Sequence, residues 1–435
     1  MATLPANGPV HVVREHPRNP SLLFAGTEFG LFASLDGGRA WTPMRRDMPT
    51  VPVADLIVHP RDGDLVVGTH GRGIFIYDDV SAMTQLAAAR TASRPTLFPV
   101  RAVTLYNPSG AATGGPRGAG ALADRTYAAE NPPFGAAISY YLPEPVGAGG
   151  EITLTIVDSA GTRLRELPVQ RQAGLQRAVW NLRLNPPYTI VRPAGAGQGG
   201  QGGGGGGGGG FGGGGPQGAF VLPGQYVAEL RVARRGAAPV VERVPVAVRA
   251  DPLVTLTAAE YQQLHQARLD AGRMAATVQA VVRSAEALDA QIAEVRSALR
   301  NGTTAPDSLR RQVDAVARET GDVLRRVRGG GAPAAGGERG QGDEGDETGD
   351  VNRPSIQQRV NAVSQQIGNV SSLPTEIQRE TLAGAMGELR AEVDRLNRLV
   401  GTSIPALNRA LDAAQVPWTI GRPVPWLGGE APRAP

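Results

Sequence analysis

Short apolar runs bounded by Gly, Pro and Asp fill the opening segment of the chain. Val10–Arg14, Leu22–Gly26, Leu31–Ser34 and Trp41–Met44, then Val53–Val58, Leu65–Thr69 and Ile74–Tyr77, are β-branched or aromatic and predict strands. A second region, with Ala137–Leu142, Ile152–Val157, Leu175–Leu182, Tyr226–Val232 and Val240–Val248, alternates apolar with polar residues. Alternation buries one face of each strand, which predicts a β-sandwich. After Asp251-Pro252 the period changes: Leu264, Ala267, Ala271, Met274, Val278, Val281, Ala285, Leu288, Ile292, Val295 and Leu299 recur at spacings of three and four. That is the seam of a long helix, opened by the capping box Thr257-Ala258-Ala259-Glu260 and closed at Asn301-Gly302. Further helices are predicted over Ser308–Arg328, around Ile356, Val360, Val363, Ile367 and Val370, and from Thr375 with Met386, Leu389, Val393 and Leu396 inward. Their seams predict a hairpin or bundle.

The first set of strands is a repeat. His16-Pro17-Arg18-Asn19 through Gly26-Thr27-Glu28-Phe29-Gly30-Leu31-Phe32 recurs as His59-Pro60-Arg61-Asp62 through Gly68-Thr69-His70-Gly71-Arg72-Gly73-Ile74-Phe75. The period, about 43 residues, suits one four-stranded blade of a β-propeller. The first copy carries Ser34-Leu35-Asp36-Gly37-Gly38-Arg39-Ala40-Trp41, in the pattern Ser-x-Asp-x-Gly-x-x-Trp. In such a turn the Asp36 carboxylate accepts backbone N–H bonds, Gly38 supplies backbone freedom, and Trp41 plugs the gap between neighbouring sheets.

These residues resemble the Asp-box, or bacterial neuraminidase repeat, propellers: large bacterial proteins labelled glycosyl hydrolases, related to sialidase-type and sortilin-type propellers. The resemblance runs to about residue 86. It implies that Ser34, Asp36, Gly38 and Trp41 form a structural Asp box. It also implies a secreted or periplasmic parent with more blades than the two here, so the chain reads as a C-terminal portion that lacks a signal peptide. The run from Ile152 to Gly161, with Ala173–Leu182 and Leu222-Pro223-Gly224-Gln225-Tyr226, resembles the Ig-like domain of flagellar hook-capping proteins, with Trp180 in its core.

The expected fold class is therefore multidomain, mainly β plus α: two propeller blades, an Ig-like β-sandwich and a C-terminal helical hairpin or bundle. The expected boundaries are 1–86 for the blades, 87–130 for a linker, and 131–250 for the sandwich with a disordered Gly-rich insert at 195–218. Then follow 251–328 for a long helical hairpin, 329–353 for an acidic disordered linker, 354–415 for helices completing the bundle, and 416–435 for a Pro/Trp tail.

Composition narrows the chemistry. Much of the excess in the 59 glycines and 35 prolines lies in the two linker tracts, so the foldable material is smaller than 435 residues suggests. There is no lysine and no cysteine, which excludes Schiff-base, thiol and disulfide chemistry. The histidines His11, His16, His59, His70 and His265 form no metal-binding pair, so neither metal nor cofactor is expected. The formal charge of +4 is spread among acidic residues rather than clustered, which argues against nucleic acid. No run approaches the roughly 18–20 apolar residues of a membrane span.

In a propeller the ligand face is built from the loops joining second to third strands and from the connections between blades. Glu28 and Phe29 lie on one such loop, His70 and Arg72 on its counterpart. A carboxylate, an arginine and an aromatic ring there suit a sugar or an acidic group. The other reading of these Gly-rich segments is tight turns whose polar residues brace neighbouring loops. No catalytic set is assigned. The expected function is a non-catalytic portion of an extracytoplasmic propeller that binds glycan or polypeptide. One alternative is part of a sialidase-like glycoside hydrolase whose missing blades are supplied in trans. The other is a scaffold oligomerising through its helical tail.

Overall fold

The computed structural model describes residues 4–45, 48–107, 132–188, 216–301, 305–329, 354–417, 419 and 422. The chain divides into two compact units, the first from Met1–Asn185, Arg192–Gly215 and Val221–Thr255, the second from Pro186–Val191, Pro216–Phe220 and Leu256–Pro435. The Gly-rich insert expected at 195–218 lies outside the described residues up to 215, and so does nearly all of the acidic linker. Of the Pro/Trp tail, 416, 417, 419 and 422 are described.

The first unit opens with two antiparallel meanders. One has the order β1 (Val10–His16), β2 (Asn19–Thr27), β3 (Gly30–Ser34), β4 (Thr42–Pro43); the other has the order β5 (Val53–Val58), β6 (Leu65–Thr69), β7 (Ile74–Tyr77). They share one register. Phe24 faces Ala33 and Ala25 faces Phe32 in the first, as Val66 faces Ile76 and Val67 faces Phe75 in the second. Both first strands have a register shift at the same place, between Val10 and Val12 and between Val53 and Asp55. A shared bulge shows that the repeat in sequence is a repeat in backbone.

The sheets stack. Val12, Leu22, Phe24, Leu31 and Ala33 of the first meet Val53, Leu56, Val58, Leu65 and Val67 of the second in one cluster. Leu22, Phe24, Val53, Leu65 and Val67 are fully buried, and each such side chain stabilises by roughly 1.5–3 kcal/mol. A Cβ built on Gly26 would lie 2.5 Å from Val53 Cγ1, so glycine lets the two backbones approach this closely.

The stretch expected to be a linker, 87–130, is partly structured. Helix α1 (Met83–Ala92) runs into it, β8 (Thr96–Leu97) pairs with β10 (Ala136–Leu142), and β9 (Val103–Leu105) pairs in parallel with β15 (Val240–Ala250). Strand pairing satisfies backbone groups that a free linker would leave to water. With β11 (Glu151–Val157), β12 (Arg163–Leu167), β13 (Gly174–Trp180) and β14 (Gly224–Ala233), these form sheets of order β13-β10-β8 and β12-β11-β14-β15-β9. Trp180 of one sheet is fully buried and meets Tyr226 of the other edge-on at 5.3 Å.

The second unit is helical: α2 (Ala258–Asn301), α3 (Asp307–Arg328), α4 (Ile356–Gly368), α5 (Glu376–Arg398), a π-helical turn at Leu399–Ser403, and α6 (Ile404–Ala413). The Thr257 N–H donates to Glu260 at 2.7 Å, one arm of the capping box that opens α2. Leu264, Met274, Val278, Val281, Ala285, Ile292, Val295 and Leu299 are buried, the seam that spacing predicts. Two expected seam residues differ: Met386 is mostly exposed, and Val370 lies past the end of α4 and is also exposed. The π-turn precedes Pro405, whose ring lacks an N–H and displaces the carbonyl four residues back; the wider turn absorbs that clash.

Candidate functional site

The loop Glu28–Phe29 joins β2 to β3, and His70–Arg72 sits between β6 and β7. Both lie at one end of the stack, because Gly26 beside the first loop abuts Val53, and Val53 pairs with Thr69 beside the second. The turns are built alike: Thr27 Oγ1 donates to the Gly30 carbonyl at 3.1 Å, and Thr69 Oγ1 to the Gly73 carbonyl at 2.6 Å. Each is also tied to the chain entering its sheet, Glu28 N–H to the Pro9 carbonyl and His70 N–H to the Pro52 carbonyl.

Of the four expected ligand-face side chains, two are engaged. Glu28 pairs with His11 Nε2 at 2.8 Å, and the half-exposed Phe29 ring lies over Gly8, where any Cβ would meet it at 2.6 Å. His70 and Arg72 are exposed and make no side-chain hydrogen bond or ion pair among the described residues. Neither His11 nor Gly8 was visible as a site residue in the sequence. Glu28 and its partner are 17 positions apart, a spacing with no local signature.

At the other end of the strands, Asp36 accepts from Ser34 Oγ at 2.8 Å and from the Ala40 N–H at 2.9 Å. The Ala40 N–H above all, and then the Ser34 hydroxyl, hold its carboxyl below the usual carboxylate range. The Gly38 N–H donates to Ser34 Oγ at 2.9 Å, with Gly37 and Gly38 both at positive φ, 72° and 91°. Trp41 Nε1 donates to the Gly38 carbonyl at 3.1 Å, and the ring covers Ala25 and Phe32 beside Leu4. Trp41 therefore lies on the side of the first sheet away from the second, not in the gap between the two, and the strand predicted at Trp41–Met44 shrinks to Thr42–Pro43.

No family model matches this chain. No curated protein matches it either. Among solved structures it is similar to CopC from Methylosinus trichosporium OB3b, at 10% identity over 36% of this chain and 95% of that one, with a TM-score of 0.17. It is also similar to the extracellular domains of two B. thetaiotaomicron systems. For the hybrid two component system BT3049 identity is 7%, over 55% of this chain and 32% of that one, with a TM-score of 0.15. For BT4673 it is 9%, over 57% and 26%, also at 0.15.

No helix among the described residues is long and apolar enough to cross a membrane. The second unit has a groove of about 370 Å³ between α2 and α5, lined by Met274, Met386, Leu389 and Val393 together with Asp270, Arg273 and Arg390.

Proposed function

We propose that the two stacked meanders are blades of an extracytoplasmic β-propeller of Asp-box type, and that the chain binds glycan or polypeptide ligands at the loop end rather than catalysing their cleavage. The observation that carries this reading is the pairing of two equivalent loops at one end of the stack, with the cation of Arg72 and the ring of His70 exposed and without a side-chain hydrogen bond or ion pair among the described residues. Such donors suit hydroxyl or carboxylate groups, and the half-exposed face of Phe29 suits a sugar ring or an apolar side chain. Glycoside hydrolysis normally uses two carboxylates across the sugar. Among the described residues of these loops Glu28 is the carboxylate, and it is already held by His11.

The test is binding of the purified chain to glycan and peptide arrays, with Glu28→Ala and Arg72→Ala as variants. Loss of signal in Arg72→Ala with the fold intact supports the loop end as the ligand face; unchanged binding in both variants rejects it.

A further inference from the structure

Helix α5 and the π-turn that continues it carry an apolar stripe at the edge of the helical core. Met386, Val393 and Val400 recur every seven residues, so they lie along one line of the helix over about 21 Å. Met386 is 53% exposed and Val400 49%, whereas Leu389 and Leu396 on the adjoining face are buried in the core of the unit. Two helices in contact leave a groove on either side. On one side of the α2–α5 pair lies α4, where Arg359 pairs with Glu388 of α5 and where Val363 and Ile367 meet Leu264 of α2. Met386, two positions before Glu388, projects from α5 about 160° away from it, into the groove lined with Met274 of α2. That groove runs from Asp270 to Thr277 on one helix and from Met386 to Val393 on the other, two turns or about 10 Å.

We propose that this groove is a docking site for an acidic amphipathic helix of a partner protein, laid between α2 and α5 on the side that α4 does not cover. The period of the stripe identifies the occupant as a helix: apolar residues seven apart form the seam that one helix offers another, and from Met386 to Val400 the seam outruns the groove itself. Charge decides which kind of helix. The lining carries Arg273 and Arg390 against the one carboxylate of Asp270. Arg273 pairs with Asp270, while Arg390 makes no ion pair among the described residues, Asp394 one turn on included. Carboxylates beside the apolar anchors of an incoming helix would meet Arg390 and share Arg273. A second copy docking through the same stripe would instead set these arginines against their own counterparts, and like charges across so small a contact oppose it.

The probe is a fluorescent helical peptide with leucines at i, i+4, i+7 and i+11 flanked by glutamates, titrated against the whole chain by anisotropy beside a twin with lysines in place of the glutamates. The acidic peptide should bind, and the basic twin should bind at least about tenfold more weakly. Arg390→Glu should reverse that preference, an outcome no loss of fold can produce. Met386→Asp, at an exposed position, should abolish binding while the circular dichroism and melting of the chain are retained. Arg72→Ala should leave binding unchanged, which separates this groove from the loop end of the sheets. No binding of either peptide, equal binding of both, or binding that survives Met386→Asp or is lost in Arg72→Ala overturns the proposal. Self-association of the chain that Met386→Asp removes overturns it too, because the groove then belongs to a second copy.

Discussion

Gly26→Val puts the closest contact between the two meanders under load. The new Cβ would lie 2.5 Å from Val53 Cγ1, 2.8 Å from Val12 Cγ1 and 2.9 Å from the Val53 carbonyl oxygen. Carbon contacts settle near 3.5–4.0 Å, so the sheets must part by about an ångström or more, and the carbonyl cannot rotate aside. Overpacking of this kind costs about 1–3 kcal/mol. At about 2 kcal/mol, amides of β2 and β5 that exchange through separation of the sheets should exchange roughly 30-fold faster. Hydrogen exchange read peptide by peptide isolates these strands from the helical unit, which a global melt would mix in. Val53→Ala in the same chain removes Cγ1 but not the carbonyl, so it should recover part of the protection, a coupling between residues in contact. Gly68→Val, at the equivalent position, where an added Cβ meets among the described residues the Asp55 carbonyl oxygen at an ordinary 3.5 Å, should change exchange far less. Equal exchange in Gly26→Val and the parent chain would refute the close stacking.

Two further outcomes follow from single side chains. Asp36→Ala removes the acceptor for Ser34 Oγ and the Ala40 N–H, so amides from Ser34 to Trp41 should lose protection and Trp41 emission should move to longer wavelength; an unchanged spectrum would show that the turn does not need the carboxylate. His16 is buried, accepts the Arg18 N–H at Nδ1, and has no partner for Nε2 among the described residues; burial, then Arg18, lowers its pKa below 6.5. The unfolded chain takes up the proton first, so the stability of the first sheet is complete above about pH 6.5 and declines as pH falls from there toward the folded-state value. Exchange of β1 and β2 at pH 7.5 and 5, corrected for intrinsic rate, should show that decline, and His16→Gln should flatten it.

The strands most legible in the chain were those whose own side chains alternate over several residues, such as β10, β11 and β14. Strand β12 was not: Arg163–Leu167 is charged along most of its length and sits at a sheet edge, with Leu167 its one buried residue. Strands β8 and β9 are two and three residues long, too short for any period, and exist because β10 and β15 offer them partners. Met386 follows the helical spacing yet stays exposed, because periodicity marks a face of a helix and not whether another helix covers it.

Local chemistry belongs to the sequence alone: the Asp36 turn closes on neighbours within a few residues, the Thr257 cap on Glu260, and the α2 seam on a spacing any helix enforces. The repeat, too, was written in the residues, since similar strings fold to meanders that share a register over their first three strands. Which face of each meander meets which depended on tertiary structure, because both faces carry apolar side chains and a pattern of period two cannot tell buried from bare. The same holds for the loop end, where Glu28 found His11 while Arg72 is exposed and makes no ion pair among the described residues. Pairings across strands are settled by register and stacking, which no spacing along the chain encodes.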